Sequence, residues 1–496
     1  MKDNPFIHVF KTPFFTYAYD VNTNSVIKIS KALYDYFMDL EHGVVAEKTE
    51  EVHSEMETLK GKGYLKEFYP KKIVDPRLSQ VDYLSNNRVE GITLQVTQQC
   101  NMRCSYCKFT YGDNIHNRAH ATVNMSYDVA VRAIDFYYHH SRDSKRINVS
   151  FYGGEPLLEY EMIKKIIAYV YDKFEGKDIS FNMTTNAILL TPERLKYLVK
   201  NNVSIMVSLD GSEEIQNRSR KLAGGGKGSY EIVIKQLKHL KETCPVEYKE
   251  ISFNSVIDPL YDITPLLKFY QDDIFQRSLI NLGNEKVPVG DSSINTPIMD
   301  TPEGTTSGSS DIFFLSMREA ELIALYSLIG LVDDKKLSPI SLNIKASLIE
   351  KSNSLVPANQ LEEYSAKGGP CIPGVHDTFV RVDGKFFPCE KVCDISDDLT
   401  IGDVDSGYNY ENIKRILNIG KMTESKCIKC WAIRHCTTCV LNGTLANKIS
   451  KDMILANCNG SKARLENTLK DLLAIDELRS ILLKGQIGDI HSDENT

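Results

Sequence analysis

The stretch CNMRCSYC, residues 100–107, places Cys100, Cys104 and Cys107 within eight residues of one another. Thiolates hold the irons of iron–sulfur clusters, and three closely spaced thiolates can each bind one corner of a 4Fe-4S cube while the fourth iron stays open. A zinc site would usually need a second Cys or His pair close by. The spacing therefore predicts a cluster with one iron available for chemistry.

Apolar, β-branched runs that read as strands lie around and after this loop. The runs are GITLQVT (91–97), INVSFYGGEP (147–156), ISFNMTTN (179–186), VSIMVSLDG (203–211) and ISFNSVIDP (251–259). Helical patterns such as 160–174 and 230–242 lie between them, so the order is alternating βα. Parallel βα units place their active sites at the carboxyl ends of the strands, where polar residues fall here.

The cysteine spacing, with an aromatic residue before the last Cys, and the strand-end motifs together resemble the radical SAM enzymes. In that family S-adenosyl-L-methionine (SAM) binds the open iron and is cleaved to a 5'-deoxyadenosyl radical. The resemblance implies roles for seven cofactor-binding candidates: Tyr106 at the adenine, Gly153, Gly154 and Glu155 at the methionine amino group, Ser208 and Arg220 at the ribose and carboxylate, and Asn186 at a strand end. For Ser208 and Asn186, simple capping of a turn is an open alternative.

Eight of the twelve cysteines lie in the C-terminal part of the chain. They are Cys371, Cys389, Cys393, Cys427, Cys430, Cys436, Cys439 and Cys458. This order, with Gly384 five residues before the second of them, resembles a SPASM domain, which holds auxiliary clusters. The resemblance implies that Cys371, Cys389 and Cys439 hold a first auxiliary cluster, and that Cys427, Cys430, Cys436 and Cys458 hold a second.

The first auxiliary set lacks a fourth ligand between Cys371 and Gly384. Cys393 could complete it, or one iron could stay open to a substrate thiolate. Paired C-x2-C units also form zinc ribbons, so a zinc-binding interaction module is the alternative for residues 427–439.

Composition and charge limit the classes of function. The chain has 42% hydrophobic and 25% charged residues, as globular proteins do, and a net charge of −7 that argues against a nucleic-acid partner. No apolar run of 18 residues and no signal sequence is found, so we expect no membrane partner. Thiols kept in a reducing compartment predict a cytoplasmic location.

The N-terminal region predicts short strands at 6–10, 14–20 and 25–30, followed by helices at 32–40 and 50–65. This order resembles the winged-helix-like recognition domain of peptide maturases, in which a leader peptide adds as a strand to a sheet edge. A domain that merely packs on the core is the alternative.

The predicted organisation has five parts. They are a recognition domain (1–75), a linker (76–90), a radical SAM core (91–355) with a flexible insertion (284–311), a SPASM domain (368–465), and a C-terminal helix and tail (466–496). The predicted fold class is α/β, a partial (β/α)6 barrel of the radical SAM type flanked by the two smaller domains.

The whole pattern resembles radical SAM/SPASM maturases of ribosomally made peptides. The resemblance implies SAM, three 4Fe-4S clusters, a precursor peptide with a leader, and a flavodoxin or ferredoxin as electron donor. The predicted product is a cysteine-to-carbon thioether crosslink. Carbon–carbon crosslinking and formylglycine formation in sulfatases are alternatives; for the latter, Glu390 stands where sulfatase maturases carry a catalytic Asp. A non-catalytic iron–sulfur scaffold is a more distant alternative.

Overall fold

The computed structural model describes residues 4–44, 47–107, 120–275, 280–283, 310–445 and 448–492. The predicted flexible insertion at 284–311 lies outside these ranges except for its last two residues. Within the described ranges, no helix has both the length and the apolar character needed to cross a bilayer.

The N-terminal region is a three-stranded antiparallel sheet with two helices. Its strands β1 (Ile7–Lys11), β2 (Thr16–Asp20) and β3 (Ser25–Ile29) lie in that order, and α1 (Lys31–Glu41) and α2 (Glu50–Gly61) follow. Ser30 and Thr49 cap the two helices by accepting hydrogen bonds from backbone N–H groups in the first turn. One sheet face packs on these helices, because Val9, Ala18 and Leu33 share one buried cluster.

The central region alternates strands and helices. Its elements are β4 (Lys72–Ile73), α3 (Val81–Asn87), β5 (Gly91–Thr97), β6 (Met102–Cys104), α4 (Tyr127–His140), β7 (Arg146–Gly153), α5 (Tyr160–Lys173), β8 (Asp178–Thr185), α6 (Pro192–Lys200), β9 (Val203–Ser208), α7 (Glu213–Ser219), β10 (Arg220–Leu222), α8 (Tyr230–Thr243), α9 (Pro245–Tyr248), β11 (Ile251–Val256), α10 (Thr264–Phe269) and β12 (Ile280–Gly283). Six strands, in the order β12-β11-β9-β8-β7-β5, are all parallel. The predicted α/β class is confirmed.

The parallel sheet has one apolar and one polar face because its strands alternate. Val149, Phe181 and Ile205 point into the main hydrophobic core with the helices. Asn148 and Ser180 lie on the opposite, partly exposed face. Residues 76–90, predicted to be a linker, include α3, and its first residue Val81 is buried in the same core.

The C-terminal region continues the same sheet. Its elements are α11 (Asp311–Leu328), α12 (Pro339–Ser354), β13 (Tyr364–Ser365), β14 (Thr378–Val380), β15 (Lys385–Phe387), β16 (Gly402–Asp403), β17 (Gly407–Tyr408), α13 (Tyr410–Leu417), α14 (Glu424–Cys427), β18 (Thr444–Leu445), β19 (Lys448–Ile449), α15 (Lys451–Ala456) and α16 (Cys458–Ser492). Strand β14 pairs in parallel with β5, and β15, β16 and β17 extend the sheet antiparallel. The first half of the cysteine-rich region is thus continuous with the central sheet.

Candidate functional site

The cysteine loop lies at the carboxyl end of the parallel sheet. It follows β5, and its strand β6 pairs antiparallel with β10, with Arg220 directly opposite Cys104. Asn186, after β8, reaches the same loop, because its amide Nδ2 donates a 2.7 Å hydrogen bond to Asn101 Oδ1. The predicted strand-end residues therefore surround the loop, as expected for parallel βα units.

Gly153 and Gly154 allow the end of β7 to lie against the loop backbone. A Cβ on Gly153 would lie 2.1 Å from Thr97 O, and one on Gly154 would lie 2.1 Å from Gln99 O. Gly153 also has φ +146°, a conformation that favours glycine. The two glycines are therefore required for packing against the loop that carries the cysteines.

Glu155 is fully enclosed at the same place. Its carboxylate accepts hydrogen bonds from Leu157 N at 3.1 Å, Thr185 Oγ1 at 2.7 Å and Asn186 N at 2.8 Å. Burial raises the pKa of Glu155, and these hydrogen bonds oppose the shift. Glu155 thus links the ends of β7 and β8 beside the cysteine loop.

Tyr106, Asp210 and Arg220 form a buried polar group beneath the loop. The Tyr106 hydroxyl donates a 2.6 Å hydrogen bond to Asp210 Oδ2, and Arg220 Nε lies 3.0 Å from the same oxygen. The N–H of Arg220 Nε is not directed at that oxygen and has no hydrogen-bond partner. Because Arg220 is only 6% exposed, an undirected donor here fits an anionic ligand such as a carboxylate.

The three loop thiols are neighbours in a buried environment. Burial, together with smaller contributions from the nearby Glu155, Cys104 and Cys107, raises the pKa of Cys100 to about 12. Burial also raises the pKa of Cys104 to about 11, while Arg220 opposes the shift. Bound iron would supply the positive charge that such thiolates need, so the donor set fits a cluster.

No three His, Cys, Asp or Glu side chains in the described ranges converge as ligands of a single metal ion. Thiolates of a 4Fe-4S cube hold different irons, so they need not converge on one point.

The C-terminal thiols fall into two groups of neighbours. Burial raises the pKa of Cys439, and Cys371 raises it further; Cys439 in turn contributes to the raised pKa of Cys389. Burial likewise raises the pKa of Cys430 and Cys458, with further contributions from thiols of the second group. That second group comprises Cys427, Cys430, Cys436 and Cys458. The resemblance implies the same two sets, and their role as cluster ligands stays a prediction.

The remaining predicted residues are Cys393 and Glu390 in the cysteine-rich region and Ser208 in the central sheet. Cys393 is 2% exposed and belongs to the main hydrophobic core. Ser208 is partly exposed at the last position of β9. Glu390 follows Cys389, and its charge contributes to a raised pKa at Asp377, which burial raises to about 7.

Three residues of these sites carried no role in the sequence analysis. Asp210 follows β9 and holds Tyr106 and Arg220, and Thr185 donates to Glu155. Lys367 is 4% exposed beside the C-terminal thiols. The positions of Asp210 and Thr185 at predicted strand ends could have indicated a role in the site. For Lys367, the only indication in the sequence is that it lies close to Cys371.

Residues 94–265 match the model of the Radical SAM superfamily. This segment is a radical SAM domain, as the cysteine loop and the strand-end motifs predict. The match ends before the cysteine-rich region.

Individual relatives resemble about a third of the chain. The radical SAM cyclopropyl synthase TigE of Paramaledivibacter caminithermalis is 27% identical over 191 residues, which cover 36% of this chain and 38% of TigE. The cysteine-type anaerobic sulfatase-maturating enzyme of Clostridium novyi is 28% identical over 160 residues, which cover 31% of this chain and 40% of that enzyme. The chain thus matches about two fifths of the length of each relative.

A solved structure extends the likeness of fold further. Native anSMEcpe with bound AdoMet and Kp18Cys peptide superposes with a TM-score of 0.53 at 16% identity, over 79% of this chain and 99% of that one. The likeness shows that the fold is shared across most of the chain.

Proposed function

We propose that this chain is a radical SAM maturase that binds a ribosomally made precursor peptide and installs cysteine-to-carbon thioether crosslinks. The observation that carries the proposal is an edge strand, β3, on an N-terminal sheet that contacts the segment between Cys430 and Cys436 through other strands. Strand β3 has one hydrogen-bonded neighbour among the described strands, so its outer edge is available to an added strand. A leader peptide would bind there by backbone hydrogen bonds.

The N-terminal sheet is seated on the loop between two auxiliary ligands, Cys430 and Cys436. The imidazole of His8 on β1 stacks on Trp431 with ring centroids 3.8 Å apart. Arg434 Nε donates a 2.6 Å hydrogen bond to Val21 O, just after β2. A leader on β3 is thereby held at a fixed place relative to the second thiol group.

The polar face of the parallel sheet suits a peptide. Asn148 Nδ2 donates to Ser180 Oγ at 3.0 Å, and Asn182 Nδ2 donates to Asn148 Oδ1 at 2.9 Å. Such amides and hydroxyls can both donate to and accept from a peptide backbone. A nucleoside triphosphate, the kind of substrate named for the related GTP 3',8-cyclases, would call for Lys or Arg there.

The proposed cofactor roles follow the geometry at the carboxyl edge. Cys100, Cys104 and Cys107 hold the radical SAM cluster, and Arg220 offers its undirected donor to the carboxylate of SAM. Bound SAM supplies the 5'-deoxyadenosyl radical that removes hydrogen from the acceptor residue of the peptide. A flavodoxin or ferredoxin of the cytoplasm supplies the electron for that cleavage.

The remaining cofactor contacts and the auxiliary sites complete the proposal. Tyr106, Gly153, Gly154, Glu155, Asn186 and Ser208 line the SAM site. The first auxiliary cluster is held by Cys371, Cys389 and Cys439, with Cys393 or a substrate thiolate as a fourth ligand. The second is held by Cys427, Cys430, Cys436 and Cys458. Thioether formation is a net two-electron oxidation, and clusters held by these cysteines would supply an acceptor for the surplus electron.

A second candidate, formylglycine formation, is favoured by one arrangement. Glu390 lies beside Asp377, a buried carboxyl that accepts hydrogen bonds from Thr93 Oγ1 at 3.0 and 3.2 Å. Burial raises the pKa of the Asp377 carboxyl to about 7, so this group is suited to accept a proton from a substrate thiol or alcohol. The likeness to sulfatase-maturating enzymes supports the same reading.

The test is anaerobic co-expression with a short cysteine-containing peptide encoded beside this gene, followed by mass spectrometry before and after thiol alkylation. We expect a loss of two hydrogens per crosslink, with thiols that resist both alkylation and reductant. A matched control with Cys100, Cys104 and Cys107 replaced by Ala should leave the peptide unmodified.

Other outcomes separate the alternatives. The same mass loss with free thiols would indicate carbon–carbon crosslinking. Modification of a sulfatase-derived peptide alone would indicate formylglycine formation. An unchanged peptide together with SAM cleavage would contradict the thioether proposal, and absence of 5'-deoxyadenosine would favour a scaffold.

A further inference from the structure

Lys367 is a buried lysine at the junction of the two auxiliary thiol groups. It is 4% exposed, and its Nζ donates a 2.5 Å hydrogen bond to Thr438 O. Thr438 lies between Cys436 of the second group and Cys439 of the first. The chain that links the two groups therefore passes directly over the ammonium.

The backbone around Lys367 is packed tightly enough to fix its side chain. Gly368 N donates a 2.7 Å hydrogen bond to Ile433 O, and a Cβ on Gly368 would lie 1.9 Å from Arg434 O. On the other side, a Cβ on Gly420 would lie 3.5 Å from Lys367 Cγ. The lysine stem thus runs between two backbone segments toward Thr438.

A buried ammonium needs a negative partner, because a neutral carbonyl does not compensate a full charge. Within the described ranges, Lys367 forms no ion pair with a carboxylate. The carbonyl that accepts from the Lys367 Nζ belongs to Thr438, which directly precedes Cys439 of the first group and lies two residues after Cys436 of the second. Cluster-bound thiolates of both groups are therefore the anions that this ammonium would face.

We infer that Lys367 is the shared counter-cation of the two auxiliary iron–sulfur sites and raises the reduction potential of both. Net charge and hydrogen bonding near a thiolate-bound cluster help to set its potential. A fixed positive charge favours the form that has gained an electron. Lys367 is thus a positioning residue that makes these sites better electron acceptors. This inference rests on the auxiliary clusters of the proposed function.

The experiment uses the full chain with Cys100, Cys104 and Cys107 replaced by Ala, so that only auxiliary clusters remain. Iron per chain is counted after reconstitution, and midpoint potentials are measured by redox titration followed by electron paramagnetic resonance. The variants are Lys367→Met, which removes the charge, and Lys367→Arg, which keeps it. The control is Lys429→Met, an exposed lysine next to Cys430.

We expect Lys367→Met to keep its iron and to shift the midpoint potentials in the negative direction, while Lys367→Arg and Lys429→Met stay close to the parent. An unshifted Lys367→Met with full iron would overturn the inference. If Lys367→Met loses iron while Lys367→Arg retains it, the positive charge is required and the inference is supported. If both variants lose iron, only the packing of the side chain matters and the inference is overturned. A parent that binds no auxiliary iron would instead refute the cofactor content of the proposed function, and the inference with it.

Discussion

The hydroxyl of Tyr106 and the carboxylate of Asp210 are joined by a 2.6 Å hydrogen bond beneath the cysteine loop. Asp210 also accepts a 3.1 Å hydrogen bond from Val256 N and lies beside the guanidinium of Arg220. One carboxylate thereby fixes the loop to the ends of β9 and β11. The position of the cysteines depends on this contact as well as on their spacing in sequence.

Asp210→Asn should be strongly destabilising. The change keeps the shape of the side chain but leaves Arg220, 6% exposed, as a buried cation without its anion. Breaking a buried ion pair in this way costs about 3–5 kcal/mol. Denaturant unfolding should show this loss of folding stability. A separate binding measurement should show weaker SAM binding. Asp405→Asn, which breaks the surface pair with Arg132, should cost no more than about 1 kcal/mol. Equal stability of the two variants would contradict this account.

Gly154→Ala should disrupt the radical SAM cluster selectively. Its new Cβ would lie 2.1 Å from Gln99 O and 3.0 Å from Cys100 Cβ, so the loop must move. Overpacking of this kind costs about 1–3 kcal/mol. We expect the variant to lose about one cluster's share of iron and to fail in SAM cleavage. Gly225→Ala, where nothing lies within 4 Å of the added carbon, should retain both.

The site residues on the loop and at the strand ends could be predicted from sequence, because cysteine spacing and apolar alternation are local patterns. Asp210 could be placed at a strand end, but its partner could not be identified, since Tyr106 lies 104 residues away. The same limit applies to the contact between the N-terminal sheet and the cysteine-rich region. Arg434 and Val21 are 413 residues apart, and their contact depends on how separately formed units pack.

The boundaries between regions were also harder to predict than the regions themselves. Strand β14 contributes three residues to the central sheet, too few for a clear alternating pattern. Strand β14 pairs with β5 because β5 offers an edge that would otherwise be unpaired, and not because of the sequence of β14 itself. Likewise α3 is a seven-residue helix whose Val81 is fixed by tertiary packing. Short elements of this kind depend on their surroundings.

The contribution of Asp377 to stability should depend on pH. Burial, and then the charge of Glu390, raise the pKa of this carboxyl from 3.8 to about 7 in the folded chain. The folded state therefore keeps a proton that the unfolded state loses, so the parent should lose stability relative to Asp377→Asn as the pH rises from about 4 to about 7. The shift corresponds to a change on the order of 4 kcal/mol.

Denaturant midpoints of parent and Asp377→Asn, measured side by side at pH 5 and 8, check this expectation. Asp383→Asn provides a control without pH dependence between these two values. Burial tends to raise the pKa of the Asp383 carboxyl, but its ion pair with Arg381 lowers that pKa below 3.8, so the group is ionised in the folded and the unfolded chain at both pH 5 and 8. A difference between parent and Asp377→Asn that is the same at both pH values would contradict the prediction.

His8→Ala should weaken the packing of the N-terminal sheet against the cysteine-rich region. His8 stacks on Trp431 at an interplanar angle of 4° and forms a 3.0 Å contact with Glu466 on α16. Because Trp431 is the single tryptophan of the chain, tryptophan fluorescence reports the surroundings of this one side chain. We expect stronger acrylamide quenching and a red-shifted emission in the variant.

His53→Ala, which replaces an exposed histidine on α2, is the matched control and should leave both the quenching and the emission unchanged. Unaltered quenching in His8→Ala would mean that Trp431 is shielded by other contacts, and that the sheet does not depend on this stack for its position.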